Sequence, residues 1–413
     1  MVTVRPFKAL RPPVSIVKKI AELPYDVINT KEAKAIANGN EYSFFHITRA
    51  EIDLPETVDI HDESVYQQGK NALNNFIKQG WLVEEKEPTI YLYKQKMGDH
   101  EQTGFVGCVS ADEYNNDIIK KHELTRKDKE DDRTKTVVTQ NANAEPVFLT
   151  YRAQKELDII TDSYKKNNAP EYDFTAVDGI SHTLWVIRDK TLVAKIEELF
   201  NPVKYLYVAD GHHRSASAAR AKAEKMKNDP APTPEKEYNY FLAVIFPHDQ
   251  LKILDYNRVL FELNGMTKDE FFKKIGEKFD FIGESYGSPK NQTEFGMYID
   301  GKWHQIRAKK GTFDEKDPIN SLDVAILQNN VLDPLFGIKD PRTDKRIDFV
   351  GGIRGIKELE KRVNSGECKV AFAMYPTTIE QLMNVADSGK IMPPKSTWFE
   401  PKLRSGMFVH MLD

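Results

Sequence analysis

Residues 204–222 read KYLYVADGHHRSASAARAK, an apolar run that stops at Asp210-Gly211 and gives way to an alanine-rich segment. The apolar run predicts a strand, and the alanine-rich segment predicts a helix from Ser215 onward. The Asp-Gly pair between them is typical of a tight turn, because glycine adopts the positive φ that such turns often need. The stretch therefore predicts a strand, a turn and a helix start.

The start of this helix has the chemistry of an anion site. Its first backbone N–H groups have no partner within the helix, and the helix dipole favours negative charge there. Arg214 adds a planar cationic fork suited to phosphate or carboxylate, and His212 and His213 can donate, accept or bind metal near neutral pH. The alternative is an ordinary turn with Ser215 as a helix cap. No His-x-x-x-His or Cys-x-x-Cys partner lies nearby to complete a zinc site.

Composition limits the class of protein. The chain has 413 residues, 30% charged and 40% hydrophobic, with 59 basic and 63 acidic side chains. This length allows two or three domains, and the net charge of −4 gives no footprint for non-specific nucleic-acid binding. No apolar run approaches the length of a membrane span and no signal-peptide core is evident, so we expect a cytoplasmic protein without a membrane partner. Cys108 and Cys368 are expected to be buried thiols in strands.

Strand-like and helix-like segments alternate without a regular repeat. Helical candidates are residues 65–79, 192–199, 215–227, 268–278, 356–364 and 378–388. Strand candidates are residues 89–93, 147–151, 184–187, 240–246 and 297–299. A surface loop with three prolines follows at residues 228–235, and a domain boundary is expected near residues 263–267. We therefore predict an α+β (mixed α/β) fold with domains over residues 1–264 and 265–413.

Two charged segments are further candidates. In residues 44–55, Arg49, Glu51 and Asp53 alternate, which would put them on one face of an extended chain; the alternative is a solvated strand edge. Residues 121–133 mix both signs of charge and include His122. Such a run is usually an exposed helix face or a mobile loop, but a loop with this composition could also close over a charged substrate.

Two proline-bounded turns complete the set. Residues 393–402 place Lys395 beside the hydroxyls of Ser396 and Thr397, which suits a phosphate or a small amino acid; the alternative is a terminal strand after a turn. Asp26 follows Pro24-Tyr25, where an aspartate usually makes an Asx-turn. The P-loop and the Gly-x-Gly-x-x-Gly motif are missing from the sequence, so phosphate chemistry would need a different cradle.

These motifs carry a resemblance to a known superfamily. Residues 208–214, VADGHHR, resemble the Asp-Gly-His-x-Arg turn of the ParB/sulfiredoxin-like superfamily, and in particular of its free L-serine kinases. Residues 389–397, GKIMPPKST, are similar to the Gly-x-x-x-x-Pro-Lys-Thr-Thr element that ends those kinases, and Pro376-Thr377-Thr378 fits the preceding helix. Over its full length the chain resembles the domain of unknown function 1015 family, in the stretches PYDV, HITRAEIDLP, HELT, DGHHR and KSTWF.

The resemblance implies a ParB/sulfiredoxin-like phosphate-binding domain with insertions over residues 1–264. It also implies a C-terminal α/β domain over residues 265–413, whose Lys-Ser-Thr segment returns to the cleft. The implied activity is phosphorylation of free L-serine to O-phosphoserine, with ATP, ADP or pyrophosphate as donor and Mg²⁺ as the expected ion. The oligomeric state stays open.

The resemblance also implies roles for residues. The donor phosphates would be held by Asp210, Gly211, His212, His213, Arg214 and Ser215, with Asp210 on Mg²⁺ and His212 also in the catalytic set. The acceptor would be held by Arg49, His122, Glu123, Arg126, Arg133, Lys395, Ser396 and Thr397.

One departure concerns the catalytic base. The short serine kinases have a Glu after a Leu-Lys-Pro-His element, whereas this chain reads Leu10-Arg11-Pro12-Pro13-Val14 with no carboxylate. The base is then expected to be Asp26 or Glu51. Sulfiredoxin chemistry is disfavoured because no cysteine lies near the turn, and ParB-like DNA binding is disfavoured by the acidic balance. The alternatives are a non-catalytic nucleotide- or phosphate-binding regulatory protein and a hydrolase of phosphorylated metabolites.

Overall fold

The computed structural model describes residues 2–283 and 287–413. The chain forms a mixed α+β protein with two compact units, Met1–Leu251 together with Pro401–Asp413, and Lys252–Glu400. The first unit thus ends at Leu251 rather than at the predicted residue 264. In addition, the last thirteen residues of the chain, Pro401–Asp413, belong to the first unit and not to the second.

The first unit is built on a large mixed sheet. In spatial order, its described strands are Ile119–Lys120, Leu206–Asp210, Val147–Tyr151, Tyr240–Pro247, His100–Ser110, Ile90–Met97, Ser181–Ile187 and Tyr172–Thr175, with Val4–Arg5 also paired to His100–Ser110. Leu206–Asp210 runs parallel to Ile119–Lys120 and antiparallel to Val147–Tyr151. The predicted strands at residues 89–93, 147–151, 184–187 and 240–246 all lie in this sheet.

The first unit also contains nine α-helices and four short 3₁₀ turns among its described residues. They are Val17–Ile20, Thr30–Ala37, Phe45–Thr48, Glu63–Lys78, Ala111–Asn115, Lys127–Gln140, Lys155–Asn167, Lys190–Phe200 and His212–Asn228, with short 3₁₀ turns at Tyr25–Val27, Ala50–Asp53, Glu237–Asn239 and His248–Gln250. Helix His212–Asn228 packs against helix Lys127–Gln140. Val208, Leu149, Ala243 and Ile245 belong to the buried core of the sheet, so the strand that leads into Asp210 is packed into the core of the unit.

Small two-stranded pairs fix the ends of the first unit. Leu10–Arg11 pairs with Val83–Glu84, and His410–Met411 near the C-terminus pairs with Ala142–Asn143. The C-terminal segment is therefore hydrogen-bonded into the first unit.

The second unit has an antiparallel sheet. Its strands, in spatial order, are Phe279–Gly283, Lys302–Ala308, Glu294–Ile299, Val370–Met374, Tyr256–Leu260 and Ile347–Gly351, and a separate pair joins Lys252–Leu254 to Trp398–Glu400. Its helical segments are Lys268–Lys278, Asp323–Leu327, Gln328–Leu332 (a π-helical turn), Asp333–Phe336, Gly352–Arg354 (3₁₀), Ile356–Asn364 and Ile379–Asp387. The predicted helices at residues 268–278 and 356–364 have the observed bounds.

One sequence prediction about local structure was wrong. Residues 44–55 are not extended, since they form the helix Phe45–Thr48 and the 3₁₀ turn Ala50–Asp53. The reason is that Phe44 and Ile47, three positions apart, are buried in the same core cluster, which is helical spacing. For residues 121–133 the helix alternative applies from Lys127 onward, because Lys127–Gln140 is a helix.

Two further observations concern burial. Cys108 and Cys368 are buried free thiols, as predicted; Cys108 lies in the strand His100–Ser110, whereas Cys368 precedes the strand Val370–Met374 instead of lying in it. Among the described residues, no helix combines the length and the apolar character needed to cross a membrane.

Candidate anion site

The turn at Asp210-Gly211 has the geometry that the sequence predicts. Asp210 ends the strand Leu206–Asp210, and Gly211 is left-handed, with φ 93° and ψ 35°, as the N-cap of helix His212–Asn228. The helix begins at His212, three residues before the predicted start. Ser215 is buried, and its hydroxyl donates to the Gly211 carbonyl at 3.2 Å. This hydroxyl therefore has a partner within the helix.

Arg214 is the central cation of the site. Its side chain is 7% exposed. Nη1 donates to the Pro146 carbonyl, while Nη2 lies 3.4 Å from Asp26 Oδ2 and 3.5 Å from Asp210 Oδ2. Nε is buried and has no hydrogen-bond partner. Burial lowers the pKa of the guanidinium, but Asp26, Asp210 and Glu145 together raise it above its usual value, so Arg214 remains charged.

Asp210 lies between two cations. Its Oδ2 is 3.5 Å from Arg214 Nη2 and 3.4 Å from Lys402 Nζ. Burial raises the pKa of this carboxyl, but Lys402, Arg214 and His212 outweigh burial and lower the pKa to about 2. Asp210 is therefore ionised near neutral pH. Lys402 was missed by the sequence analysis, which assigned the C-terminal cation to Lys395.

Two imidazoles lie beside Asp210. The rings of His122 and His212 meet edge to face, with centroids 4.4 Å apart, and both side chains are buried. His212 Nε2 has no hydrogen-bond partner, and its Nδ1 is 3.9 Å from Glu123 Oε2. Burial lowers the pKa of His122 to about 4 and that of His212 well below its ordinary value. Both rings are therefore neutral at pH 7, so His212 can donate or accept a hydrogen bond without adding charge.

The His122 imidazole makes stability depend on pH in a defined direction. Its pKa falls from 6.5 to about 4 on folding, so the unfolded chain takes up a proton in this window while the folded chain does not. We expect the free energy of unfolding to fall as pH drops from 6.5 towards 4, with a His122 contribution of at most about 3 kcal/mol. Urea unfolding at several pH values should show that His122→Phe has a shallower pH dependence than the wild type. An unchanged slope would contradict the buried neutral imidazole.

A second group of charged side chains lies near Arg214 around Asp26, which contacts the same Nη2 as Asp210. Asp26 lies in the 3₁₀ turn Tyr25–Val27, and Tyr25 N–H donates to Glu145 Oε1 at 3.0 Å. Burial raises the pKa of Glu145, against a smaller lowering by Arg214. The Arg133 guanidinium stacks 4.2 Å from the centre of the Tyr25 ring. Asp26 is thus held beside Arg214 by a turn whose own backbone is tied to Glu145.

Two small cavities open beside these residues. One, of about 40 Å³, is lined by Arg214, Glu145 and Arg133, and the other, of about 60 Å³, is lined by Tyr25, Arg49, Glu51 and Arg133. Thr48, Arg133, Thr136 and Gln140 line both, so the two cavities are neighbours. Glu51 is not free in the second cavity: it lies 3.2 Å from Arg49 Nε and accepts from Thr30 Oγ1 at 3.0 Å.

The remaining predicted residues are more scattered. His213 accepts from the Arg126 backbone N–H at 3.1 Å, but the Arg126 guanidinium is exposed and paired with Asp128. The Lys395, Ser396 and Thr397 segment belongs to the second unit. There Lys395 has a positive φ of 57°, its carbonyl accepts from Arg258 Nη2 at 2.9 Å, and the buried Ser396 donates to the Pro393 carbonyl. The role of this segment in the site stays a prediction.

Metal-ligating side chains are sparse. In residues 2–283 and 287–413, no group of three or more His, Cys, Asp or Glu side chains could hold a metal ion. Asp26 and Asp210 both lie within 3.5 Å of Arg214 Nη2, so these two carboxylates are close together.

A side chain at Gly211 would crowd the Arg214 guanidinium. A Cβ there would lie 3.0 Å from Arg214 Nε, and the φ of 93° is unfavourable for an L side chain. We expect Gly211→Ala to lower the free energy of unfolding by about 1–2 kcal/mol from backbone strain alone, and further because Arg214 must shift. The matched control is Gly179→Ala, where φ is 80° but nothing lies within 4 Å. Equal losses in urea unfolding of the two variants would show that the close approach to Arg214 has no energetic weight.

The fold and this site define a two-unit mixed α+β protein with a buried arginine and two carboxylates at a strand–turn–helix junction. Residues 4–325 match the family described as protein of unknown function (DUF1015), and the chain belongs to that family. No curated protein matches the chain.

Several solved structures are distantly similar. The free serine kinase in complex with AMP has 12% identity and a TM-score of 0.36, over 71% of this chain and 86% of that chain. SbnI with a C-terminal truncation, from Staphylococcus aureus, has 10% identity and a TM-score of 0.38, over 74% of this chain and 87% of that chain. A conserved hypothetical protein from Pyrococcus furiosus has 13% identity and a TM-score of 0.35, over 74% and 95%.

Proposed function

We propose that this protein is a small-molecule phosphotransferase that moves a phosphoryl group from a nucleotide or pyrophosphate to the hydroxyl of free L-serine. The observation that carries the proposal is Arg214, a buried guanidinium with an unpartnered Nε between Asp26 and Asp210. Two further parts of the proposal rest on the resemblance of the VADGHHR and PPKST segments to the free L-serine kinases. These parts are serine as the acceptor and a ParB/sulfiredoxin-like core.

The anion site follows from the turn. Helix His212–Asn228 directs the positive end of its dipole at the turn, and the Gly211 conformation brings the backbone close to Arg214. Arg214 Nε and His212 Nε2 are both buried without partners, and an unsatisfied buried polar group is costly. A donor phosphate that accepted hydrogen bonds from such nitrogens would remove that cost. The donor phosphate is therefore assigned to Gly211, His212 and Arg214, with His213 beside them.

Asp210 fits an ion that arrives with the donor. Mg²⁺ is usually bound by one or two carboxylates together with substrate phosphates, so a single protein carboxylate is enough for an ion that the donor also holds. Asp210 is ionised near neutral pH and so can act as a ligand. Asp210 would hold Mg²⁺, and the ion would supply neutralisation of the charge on the donor phosphates.

Asp26 is the better placed of the two predicted bases. Its carboxylate lies against Arg214, whereas Glu51 is engaged by Arg49 and Thr30 in the neighbouring cavity. A carboxylate that accepts the serine hydroxyl proton must lie within hydrogen-bond reach of that hydroxyl while the donor phosphate occupies the anion site. We therefore assign the base to Asp26 and place Glu51, with Arg49 and Arg133, among the acceptor-binding residues.

The rest of the acceptor site is proposed on the resemblance. Lys395, Ser396 and Thr397 would steady the transferring group or the amino acid. The short segment that precedes helix Lys127–Gln140 contains His122, Glu123 and Arg126. This segment would close over the bound substrates.

The test is a donor screen with product detection. The full chain is incubated with Mg²⁺, L-serine and ATP, ADP or pyrophosphate in separate reactions, and O-phosphoserine is measured by mass spectrometry. We expect product with at least one donor. Tight donor binding without turnover would instead favour a nucleotide- or phosphate-binding regulatory protein.

A further inference from the structure

The C-terminal segment brings a second cation to the anion site. Lys402 Nζ lies 3.4 Å from Asp210 Oδ2, the same oxygen that lies 3.5 Å from Arg214 Nη2. The Lys402 side chain is only 12% exposed. Arg214 and Lys402 thus converge on one carboxylate oxygen at the start of the helix.

The position of Lys402 is fixed by its neighbours. Its carbonyl accepts from Gln95 Nε2 at 2.8 Å. Two residues further on, Arg404 Nε donates to His182 Nε2 at 3.1 Å, and Arg404 also pairs with Asp178. The next residue, Ser405, exchanges two backbone hydrogen bonds with Glu22. A lysine whose own carbonyl and following residues are held in this way has lost backbone freedom before any ligand binds, so it can contribute to binding at a reduced entropic cost.

Charge balance gives Lys402 a role when an anion enters. A phosphate that approaches Arg214 also approaches the negative charges of Asp26 and Asp210. Without Lys402, Arg214 would be the one cation among the described residues in contact with Asp210 and Asp26, the two ion pairs that the incoming anion disturbs. Lys402 supplies a second cation, and its ammonium has three donors, so it can turn from Asp210 to a phosphate oxygen.

We propose that Lys402 is a phosphate-binding residue of this site and that it exchanges Asp210 for a phosphate oxygen when the donor binds. The ligand class is a phosphate or pyrophosphate anion, either free or as part of a nucleotide. The proposal deepens the proposed function and rests on it for the identity of the anion as a phosphoryl donor.

The test is calorimetric titration with inorganic pyrophosphate in the absence of divalent metal. We expect Lys402→Met to weaken pyrophosphate binding by about 10-fold or more, which is the usual value of a hydrogen bond to a charged group. The matched control is Lys222→Met, because Lys222 is 10% exposed and also pairs with an aspartate, Asp112. This control should bind pyrophosphate like the wild type.

A second pair of variants separates ligand binding from neutralisation of Asp210. Asp210→Asn removes a negative charge and should strengthen metal-free pyrophosphate binding. Adding Lys402→Met to Asp210→Asn should again weaken binding by about 10-fold, and this double variant leaves no unpaired charge that would prevent folding. Wild-type affinity in Lys402→Met, or equal affinity of Asp210→Asn and the double variant, would overturn the proposal.

The titration does not depend on turnover. If pyrophosphate binds through Lys402 but no O-phosphoserine forms with any donor, the phosphotransferase proposal fails and the Lys402 assignment stands. If O-phosphoserine forms while Lys402→Met binds pyrophosphate like the wild type, the assignment of Lys402 fails and the proposed function stands.

Discussion

Replacing Asp26 by asparagine should lower the rate of O-phosphoserine formation by about 100-fold or more while donor binding is retained. Asparagine keeps the shape of the side chain, but it cannot accept the hydroxyl proton of serine. It can still accept a hydrogen bond from Arg214 Nη2, which lies 3.4 Å from Asp26 Oδ2. The variant therefore removes the proposed chemistry with little change in the turn Tyr25–Val27.

The measurement is the initial rate at saturating donor and serine, compared with Glu51→Gln and with Asp317→Asn. Glu51→Gln should affect serine binding more than the maximal rate, because Glu51 is proposed to bind the acceptor. Asp317 lies in the second unit, paired with Lys390 at 2.7 Å, and its variant should keep the wild-type rate. Near-normal turnover in Asp26→Asn together with a large loss in Glu51→Gln would transfer the role of base to Glu51.

The largest effect on stability is expected at Arg214. Arg214→Leu should lower the free energy of unfolding by about 3–5 kcal/mol, because Asp26 and Asp210 lose a buried cation that lies within 3.5 Å of both carboxylates. The control on the same helix is Arg220→Leu. Arg220 is 39% exposed and pairs with Glu130 and Asp131, so its loss should cost about 1 kcal/mol or less.

Arg214→Lys separates charge from geometry. Lysine keeps the positive charge but loses the planar fork, so donor affinity should fall by about 1–3 kcal/mol while stability changes less than in Arg214→Leu. Urea unfolding and calorimetric titration of the donor measure the two quantities. Donor affinity unchanged in Arg214→Lys would remove Arg214 from the donor site.

The sequence predicted local structure well where the signal was local. The apolar run to Asp210, the glycine and the alanine-rich segment specify strand, turn and helix within a few residues, and the observed φ of Gly211 agrees. The prediction of an extended chain over residues 44–55 was wrong because alternation of charged residues over a few positions is also compatible with short helical turns. The spacing of Phe44 and Ile47 was the informative signal.

The composition of the site was harder to predict, because its members are distant in sequence. Asp26, Asp210 and Arg214 were all named from local motifs, yet their contacts follow from tertiary packing. Lys402 is 192 positions from Asp210, and within the segment 393–402 the hydroxyl-rich motif pointed to Lys395 instead. Lys402 contacts Asp210 because the C-terminal segment Pro401–Asp413 is part of the first unit.

The central claim is that the serine hydroxyl, and not water, receives the phosphoryl group. The most direct measurement is the reaction in water labelled with heavy oxygen, with Mg²⁺, L-serine and the active donor, and with both O-phosphoserine and inorganic phosphate examined by mass spectrometry. Our account predicts O-phosphoserine without label, because all of its oxygens come from serine and the donor. Labelled inorganic phosphate with no O-phosphoserine would contradict the account and show that the protein is a hydrolase.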